Sequence, residues 1–278
     1  MHIQVVTLPG EKFRPQFFMS RLVECWTAQG HRVTVGPCRR LDADLGIMHV
    51  DRTWVPPECI PENPHGRPLL NASVVDISKR RVSRQQVRPD CAYFGPVIIK
   101  TDANCFGARE RRGMPKWNVG RIRRRLARML SWQIARELPP GDYPVLDHPG
   151  LVPDWVWRRD DLVVERFLPE RDGNEYALRI WMFFGDREYG ARLFGTGPVV
   201  KASAITHHEY IDDVPPSLRS LRRELGMDFG KFDYVVVDGE AVLLDVNKTP
   251  TIASARSPST RIPEMAKGLG AFVAGLAP

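Results

Sequence analysis

The segment that most constrains this chain runs from Asp233 to Pro250, DYVVVDGEAVLLDVNKTP. Two runs of β-branched and aliphatic residues, 234–237 and 241–246, flank Asp238-Gly239. An Asp-Gly pair between such runs predicts a β-hairpin. Asp245 and Asn247 stand two apart on the second strand, so their side chains share a face. Asp233 begins the partner strand, and antiparallel pairing returns it close to Asp245. Two carboxylates and an amide oxygen meeting at a strand end form an all-oxygen set, suited to Mg²⁺ held largely through a substrate's phosphates. Hairpin-end polar residues and turn caps would produce the same pattern, and the segment alone leaves both readings open.

The amino-terminal residues predict an α/β layer. Residues 3–8 (IQVVTL) read as a buried strand closed by Pro9-Gly10, and 16–29 carries Phe17, Phe18, Leu22, Val23 and Trp26 at helical spacing up to Gly30. Residues 31–36 and 45–50 read as two further strands, a pattern of partly parallel pairing. The turn after the first strand lacks G-x-G-x-x-G, so no dinucleotide fingerprint is present. Residues 54–68 hold five prolines and read as a loop. The basic stretch from Asp76 is helix-compatible up to Pro89, 97–100 reads as a short strand ending in Lys100, and 101–113 as a polar loop. Residues 119–137 read as one helix with Ile122, Leu126, Met129, Leu130 and Ile134 on a single face, stopped by Pro139-Pro140-Gly141. Strands are expected at 162–168 and 176–184, and a short helix at 217–227.

Composition narrows the class. With 278 residues and 43% hydrophobic content the chain can bury a sizeable core in one large domain or two to three sub-domains. Forty Lys and Arg against 33 Asp and Glu give +7, an excess that points to an anionic partner without naming it. No apolar run approaches the length of a membrane span, and the amino terminus shows no secretory h-region. Five widely spaced cysteines with no C-x-x-C pair argue against a disulfide framework or structural zinc, so a cytoplasmic location is expected.

Four elements in order resemble the ATP-grasp superfamily, and in pattern come nearest to the ribosomal-S6-modification type of carboxylate–amine ligase. They are the strand ending in Lys100 with its following loop (TDANCFGARERRG), a hinge strand Val163-Val164-Glu165-Arg166-Phe167-Leu168, the stretch from Tyr176 to Asp186 that carries Arg179, and Asp233 followed by Asp245-Val-Asn247-Lys-Thr-Pro250. The resemblance covers residues 70–255. Two departures stand out: Asp245 where Glu is commoner, and one glycine, Gly107, before Gly113 in a loop that usually carries several.

The resemblance implies an ATP-grasp fold of α/β and α+β parts: an amino-terminal α/β layer over 1–70, a central lid over 71–160 and a carboxy-terminal α+β part over 161–278. It implies ATP between the last two, with Lys79, Lys100 and Gly107 on the phosphates and Glu165, Arg166, Phe167 and Leu168 at the adenine. Mg²⁺, or Mn²⁺, would be held by Asp233, Asp245 and Asn247, while Arg179 and Lys201 would act on the transferred phosphoryl group. The implied activity joins a carboxylate, small or peptidic, to an amine through an acyl phosphate. The alternatives are a kinase of a small metabolite or sugar on the same fold, and a nucleotide- or nucleic-acid-binding protein without turnover.

Several motifs are decoys. Asp228-Phe229-Gly230 and Arg159-Asp160 imitate pieces of protein kinases, but the glycine-rich loop and catalytic-loop Asn are missing. No Walker A loop exists. His207-His208-Glu209 lacks the H-E-x-x-H spacing of zinc proteases and reads as a surface turn. The arginines of 121–136 read either as a solvated helix face or as a surface for an anionic partner.

Overall fold

The computed structural model describes residues 1–112, 119–127, 129–252 and 260–273. The chain divides into two compact units, Met1–Asp76 with Glu170–Pro278, and Ile77–Pro169. The edges fall at 76/77 and 169/170, where the sequence suggested 70/71 and 160/161, and the two ends of the chain share one unit. Among the described residues no helix is long and apolar enough to cross a membrane.

The first unit opens with β1 (His2–Val6), α1 (Phe18–Ala28), β2 (Arg32–Gly36), β3 (Leu45–Met48) and β4 (Leu69–Leu70). All pairings are parallel and the order is β2-β1-β3-β4. Ile3, Val5, Leu45 and Ile47 are fully buried, and α1 buries Phe18, Met19, Leu22 and Trp26 on one stripe. Because β2 lies on one side of β1 and β3 on the other, the strand order reverses at β1. In open α/β sheets the carboxyl ends of strands at such a reversal form a natural ligand crevice.

The second unit holds α2 (Lys79–Val82), β5 (Val97–Thr101), α3 (Val119–Leu126), α4 (Trp132–Ala135), β6 (Val145–Leu146), α5 (Asp154–Trp157) and β7 (Leu162–Arg166). The sheet order is β6-β5-β7, antiparallel throughout. One face supplies Val97, Ile99, Leu162 and Val164 to a core with Val87, Leu138, Val152 and Val156. The register places Ile98, Lys100, Val163 and Glu165 on the other face.

Two helix expectations change here. The helix-compatible stretch up to Pro89 is one turn only: the Gln86 amide takes the carbonyls of Lys79, Arg80 and Ser83, and Val87 N–H pairs with Val164 O. The long helix of 119–137 is two short ones, separated where Ser131 turns extended at ψ 146°. Its anticipated apolar face is exposed at Ile122, Met129, Leu130 and Ile134. Of its arginines, Arg124 comes within 4.0 Å of Glu137, while Arg128 and the Arg121 side chain lie outside the described residues.

The first unit resumes with β8 (Glu170–Asp172), β9 (Glu175–Phe184), β10 (Arg187–Gly195), β11 (Ile205–Ile211), α6 (Pro216–Glu224), β12 (Phe229–Val237), β13 (Glu240–Asn247) and α7 (Arg261–Ala266). The antiparallel order is β11-β10-β9-β12-β13, with β8 paired to β9. Residues 186–210, for which the sequence suggests no element, are largely β10 and β11, and His207-His208-Glu209 is strand rather than turn. The edge strand β11 is exposed at most positions, so it carries no alternation of apolar and polar residues to betray it. The Met182 and Phe184 face of β9 joins the core of α1, β1 and β3, and Trp26 Nε1 donates to Ala266 O at 3.0 Å. Gly268 is held close to the sheet; a Cβ there would lie 2.1 Å from Phe184 O.

Asn71 stitches the two stretches of this unit together. Its Oδ1 accepts Asp228 N–H (2.8 Å) and Phe229 N–H (3.2 Å), its Nδ2 donates to Phe229 O (2.8 Å), and its own N–H meets Asp228 Oδ2 (2.7 Å). Its backbone is left-handed at φ 57°, a conformation that asparagine and glycine tolerate best. Asn71→Ala should lower stability by about 3 kcal/mol, and Asn71→Gly by about 2, since glycine loses the bonds and keeps the backbone freedom. Urea unfolding of the three proteins checks the order; an alanine variant milder than the glycine one would refute the role given to the left-handed backbone.

Candidate functional site

The hairpin β12–β13 turns at Asp238 (φ 53°) and Gly239 (φ 80°), the two positive dihedrals of a two-residue turn. Counting from that turn, Val237 pairs with Glu240 and Tyr234 with Leu243, which would set Asp233 opposite Leu244. The register shifts there instead, and Asp233 pairs with Asp245 and Lys231 with Asn247. Leu244 is the extra residue of a β-bulge. Without the shift, Asp245 and Asn247 would face away from Asp233; with it, Lys231, Asp233, Asp245 and Asn247 share one face.

The electrostatics of that face are tight. Lys231 Nζ lies 2.8 Å from Asp233 Oδ1, with side chains 20% and 18% exposed. Asp233 Oδ1 is buried and accepts no well-aligned hydrogen bond. Burial pushes the Asp233 carboxyl up, Lys231 draws it down, Asp245 pushes it up again, and the net direction is upward. Asn247 Oδ1 accepts Thr249 N–H at 2.9 Å, which fixes the amide. Two carboxylates and a fixed amide oxygen fit a hard, oxygen-seeking divalent cation. Lys231 escaped the sequence reading although strand period alone, two residues before Asp233, would have found it.

Arg179 stands elsewhere. The register pairs Ile180 with Asp233 and Arg179 with Tyr234, so Arg179 is on the opposite face from the acidic set. There it donates to both oxygens of Glu170, from Nε at 3.0 and 2.9 Å and from Nη2 at 2.8 Å. Arg192, its cross-strand partner on β10, adds Nε at 2.9 Å, and Val236 N–H adds 2.8 Å. Glu170 is buried beneath five donated bonds, and the arginine expected to face a phosphate is engaged by a carboxylate. Lys201 is exposed at the start of the short turn Ala202–Ala204 between β10 and β11.

In the second unit Lys100 Nζ meets Glu165 Oε2 at 2.7 Å, and both side chains are at least nine-tenths buried. Lys79 is buried as well and donates to Asn104 Oδ1 at 3.0 Å. The loop after β5 makes three consecutive left-handed residues, Cys105 (φ 51°), Phe106 (φ 56°) and Gly107 (φ 64°). Phe106 stacks on Tyr143 with centroids 4.2 Å apart, and Arg111 Nη1 donates to Phe106 O. Of the hinge residues, Glu165 faces Lys100. Arg166 N–H donates to Gln85 O and Phe167 N–H to Pro96 O, both at 2.8 Å, while Leu168 is half-buried. The sequence offered no local signal for Glu170, Arg192 or Asn104.

No protein-family model matches the sequence, and no curated protein matches it significantly. Solved structures do match its fold. The RimK-domain ATP-grasp protein of Sphaerobacter thermophilus is 14% identical with a TM-score of 0.50, covering 99% of this chain and 100% of that one. The macrocyclase MdnC of Microcystis aeruginosa, bound with precursor peptide MdnA, is 10% identical with a TM-score of 0.54 over 99% and 100%. The ATP-grasp ligase PsnB, complexed with minimal precursor, Mg and ADP, is 12% identical with a TM-score of 0.54 over 97% and 96%.

Two stability measurements follow from the ion pairs. Burial raises the Glu170 carboxyl, but the Arg179 hydrogen bond, Val236 N–H and the charges of Arg179 and Arg192 hold it below the ordinary glutamate value. Such a group stabilises the fold above its unfolded pKa and loses that contribution as pH falls through its folded one. Glu170→Gln should therefore cost about 3 kcal/mol at neutral pH, with the gap to wild type closing below the ordinary glutamate range; a gap independent of pH would contradict the assignment. Lys100→Met alone should cost about 3 kcal/mol by leaving Glu165 buried without its cation, and Lys100→Met/Glu165→Leu should recover most of it. Chemical denaturation decides: a double variant no more stable than the single one would disprove the pairing energetics.

Proposed function

The chain has the ATP-grasp fold, and from that premise we propose that it is an ATP-dependent ligase joining a carboxylate to an amine, with ADP and phosphate as products. The observation that carries this reading is the convergence of Asp233, Asp245 and Asn247 on one face through the β13 bulge. That donor set fits Mg²⁺, with Mn²⁺ as a chemical equivalent. Bound there, the ion would supply positive charge to the phosphate oxygens of ATP.

In the proposed reaction a carboxylate oxygen attacks the γ-phosphorus and ADP leaves, giving an acyl phosphate. The amine nitrogen then attacks the acyl carbon, phosphate departs, and the nitrogen sheds a proton. No side-chain nucleophile is needed; positioning and charge supply the acceleration. Lys100 would present its ammonium to phosphate oxygens from a strand where Glu165 already holds it in place. Lys79, anchored through Asn104, would add a second charge, and the turn at Gly107 would shape the loop around them. Because the N–H groups of Arg166 and Phe167 are committed, a purine would be read by Leu168 N–H and the hinge carbonyls. Lys231 fits the transferred phosphoryl group better than Arg179, since it shares the face of Asp233. Lys201 remains a candidate from the β10–β11 connection. MdnC is solved with a precursor peptide and PsnB with a minimal precursor, which supports a peptide, or a small molecule, as the source of acid and amine.

Calorimetric titration of ADP with and without Mg²⁺ tests the site. Wild type should bind about tenfold more tightly with Mg²⁺; Asp245→Ala should abolish that gain, and Lys100→Met/Glu165→Leu should lose ADP while remaining folded. Binding indifferent to both sets of changes would sink the proposal. ADP release that requires an acid and an amine together identifies the ligase, whereas release with a lone hydroxyl acceptor identifies a kinase.

A further inference from the structure

Trp181 and Phe232 are register partners on β9 and β12, on the sheet face opposite Asp233, and Phe183 joins their cluster of rings. Helix α6 brings three arginines to this face. Arg219, Arg222 and Arg223 stand at i, i+3 and i+4, so they share one side of the helix. With Met227 and Asp228 they wall a cavity of about 350 Å³ whose floor is the fully buried Trp181. The guanidinium carbons of Arg219 and Arg222 lie 5.5 and 5.8 Å from the centre of the Trp181 ring, and that of Arg222 lies 4.2 Å from the centre of Phe183.

Each guanidinium is anchored along one edge and has another left over. Arg222 donates from Nε to Met227 O at 2.9 Å and from Nη2 to Gly185 O at 2.7 Å and Asp228 O at 3.2 Å. Arg219 spends Nη1 and Nη2 on Glu188, at 2.8 and 2.5 Å, and Arg223 Nη2 donates to Ser220 Oγ at 2.9 Å. Arg222 Nη1, Arg219 Nε, and Nε and Nη1 of Arg223 have no acceptor among the described residues. The charges do not balance either. Two carboxylates stand near the three cations: Glu188 is taken by Arg219, and Asp228 uses Oδ2 for Asn71 N–H. Burial pushes the Arg222 guanidinium down despite Glu188 and Asp228, and Arg219 pushes it the same way.

We infer that this cavity binds a phosphate group that keeps a proton, either orthophosphate or the end of a small phosphomonoester. The inference goes beyond the ligase reading and does not rest on it, because the floor lies on the face away from the acidic set. Planar guanidiniums match phosphate oxygens in geometry and charge. Arg222 is already fixed between ring and carbonyls, so little freedom is lost when an anion arrives. Asp228 sets the selectivity. An ionised carboxylate only accepts, so it favours an anion with an O–H to donate and opposes one without, such as sulfate. The cavity exceeds the bare ion and leaves room for water or an ester's carbon chain.

The test uses the full chain labelled with 5-fluorotryptophan, the Trp181 ¹⁹F signal being assigned by its loss in Trp181→Phe. Sodium phosphate is titrated at constant ionic strength without Mg²⁺, beside sodium sulfate, sodium acetate and ethyl phosphate. The expected result is a saturable shift of Trp181 with phosphate, about tenfold weaker with sulfate and about tenfold weaker in Arg223→Gln. ADP with Mg²⁺ should leave the phosphate response in place. In Asp228→Asn, whose amide can donate, the preference for phosphate over sulfate should vanish; the exposed Arg223→Gln serves where that variant melts early. Ethyl phosphate binding at about pH 6, where it keeps its proton, and weakening at higher pH assigns the site to an ester; orthophosphate alone assigns it to the free ion. No saturable shift, equal affinity for phosphate and sulfate in the wild type, displacement by ADP, or affinity unchanged in Arg223→Gln would overturn the inference.

Discussion

The metal-binding set proposed for this chain depends on the single extra residue, Leu244, in β13. A two-residue turn at Asp238-Gly239 propagates a register that sets Asp233 opposite Leu244. On that register Asp245 and Asn247 would lie with Tyr234 and Phe232, on the face where Trp181 and Arg179 are found. The bulge rotates the end of the strand by one position and sends both side chains to the side of Asp233 and Lys231. One sheet consequently separates two charge systems. On one face carboxylates gather with a lysine beside them; on the other, Glu170 is fully engaged by arginines.

The two systems differ in what they leave over. Glu170 accepts from Arg179, Arg192 and Val236 N–H, and Arg192 also donates to Asp172 at 2.6 Å. Burying such a group is costly unless every lone pair is met, and a cluster so completely paired specifies the sheet's register more than it adds net stability. The Asp233 face is less complete: its carboxyl is driven upward by burial and by Asp245. In the proposed function such a face would favour a cation of higher charge density than an ammonium. The Lys100–Glu165 pair works in the reverse sense: in the proposed function it would hold a cation ready on a strand, so that little would be lost in ordering it when an anion arrived.

How much of this the sequence disclosed follows range of interaction. The hairpin, the strand ending in Lys100, and the opening strand–helix–strand–strand were legible because turn chemistry and periodicity are local. The ATP-grasp order was legible because those local pieces came in sequence. The bulge was not, since the hairpin signal itself implies an unbroken register. Nor was Glu170, whose partners lie 9, 22 and 66 residues away. Strand β11 was hidden because an exposed edge has no alternation to read. The helix over 119–137 was overestimated: its periodicity is real, but Ser131 turns the backbone extended and the periodic face stays exposed.

The loop after Lys100 shows how a chain can meet a conformational demand with the wrong residues for it. Three left-handed positions in a row suit glycine, and only Gly107 is one. Left-handed backbone costs an ordinary residue about 1 kcal/mol, so Cys105 and Phe106 need compensation. Phe106 finds it by stacking on Tyr143, whose hydroxyl lies 3.1 Å from Thr101 Oγ1, and Arg111 secures the Phe106 carbonyl. Asn104, at the threshold of the same turn, is the residue that holds Lys79. A glycine-rich loop would gain freedom at these positions and lose the aromatic clasp. The loop's scarcity of glycine therefore fits a turn held in one shape, with Lys100 and, through Asn104, Lys79 on its amino-terminal side.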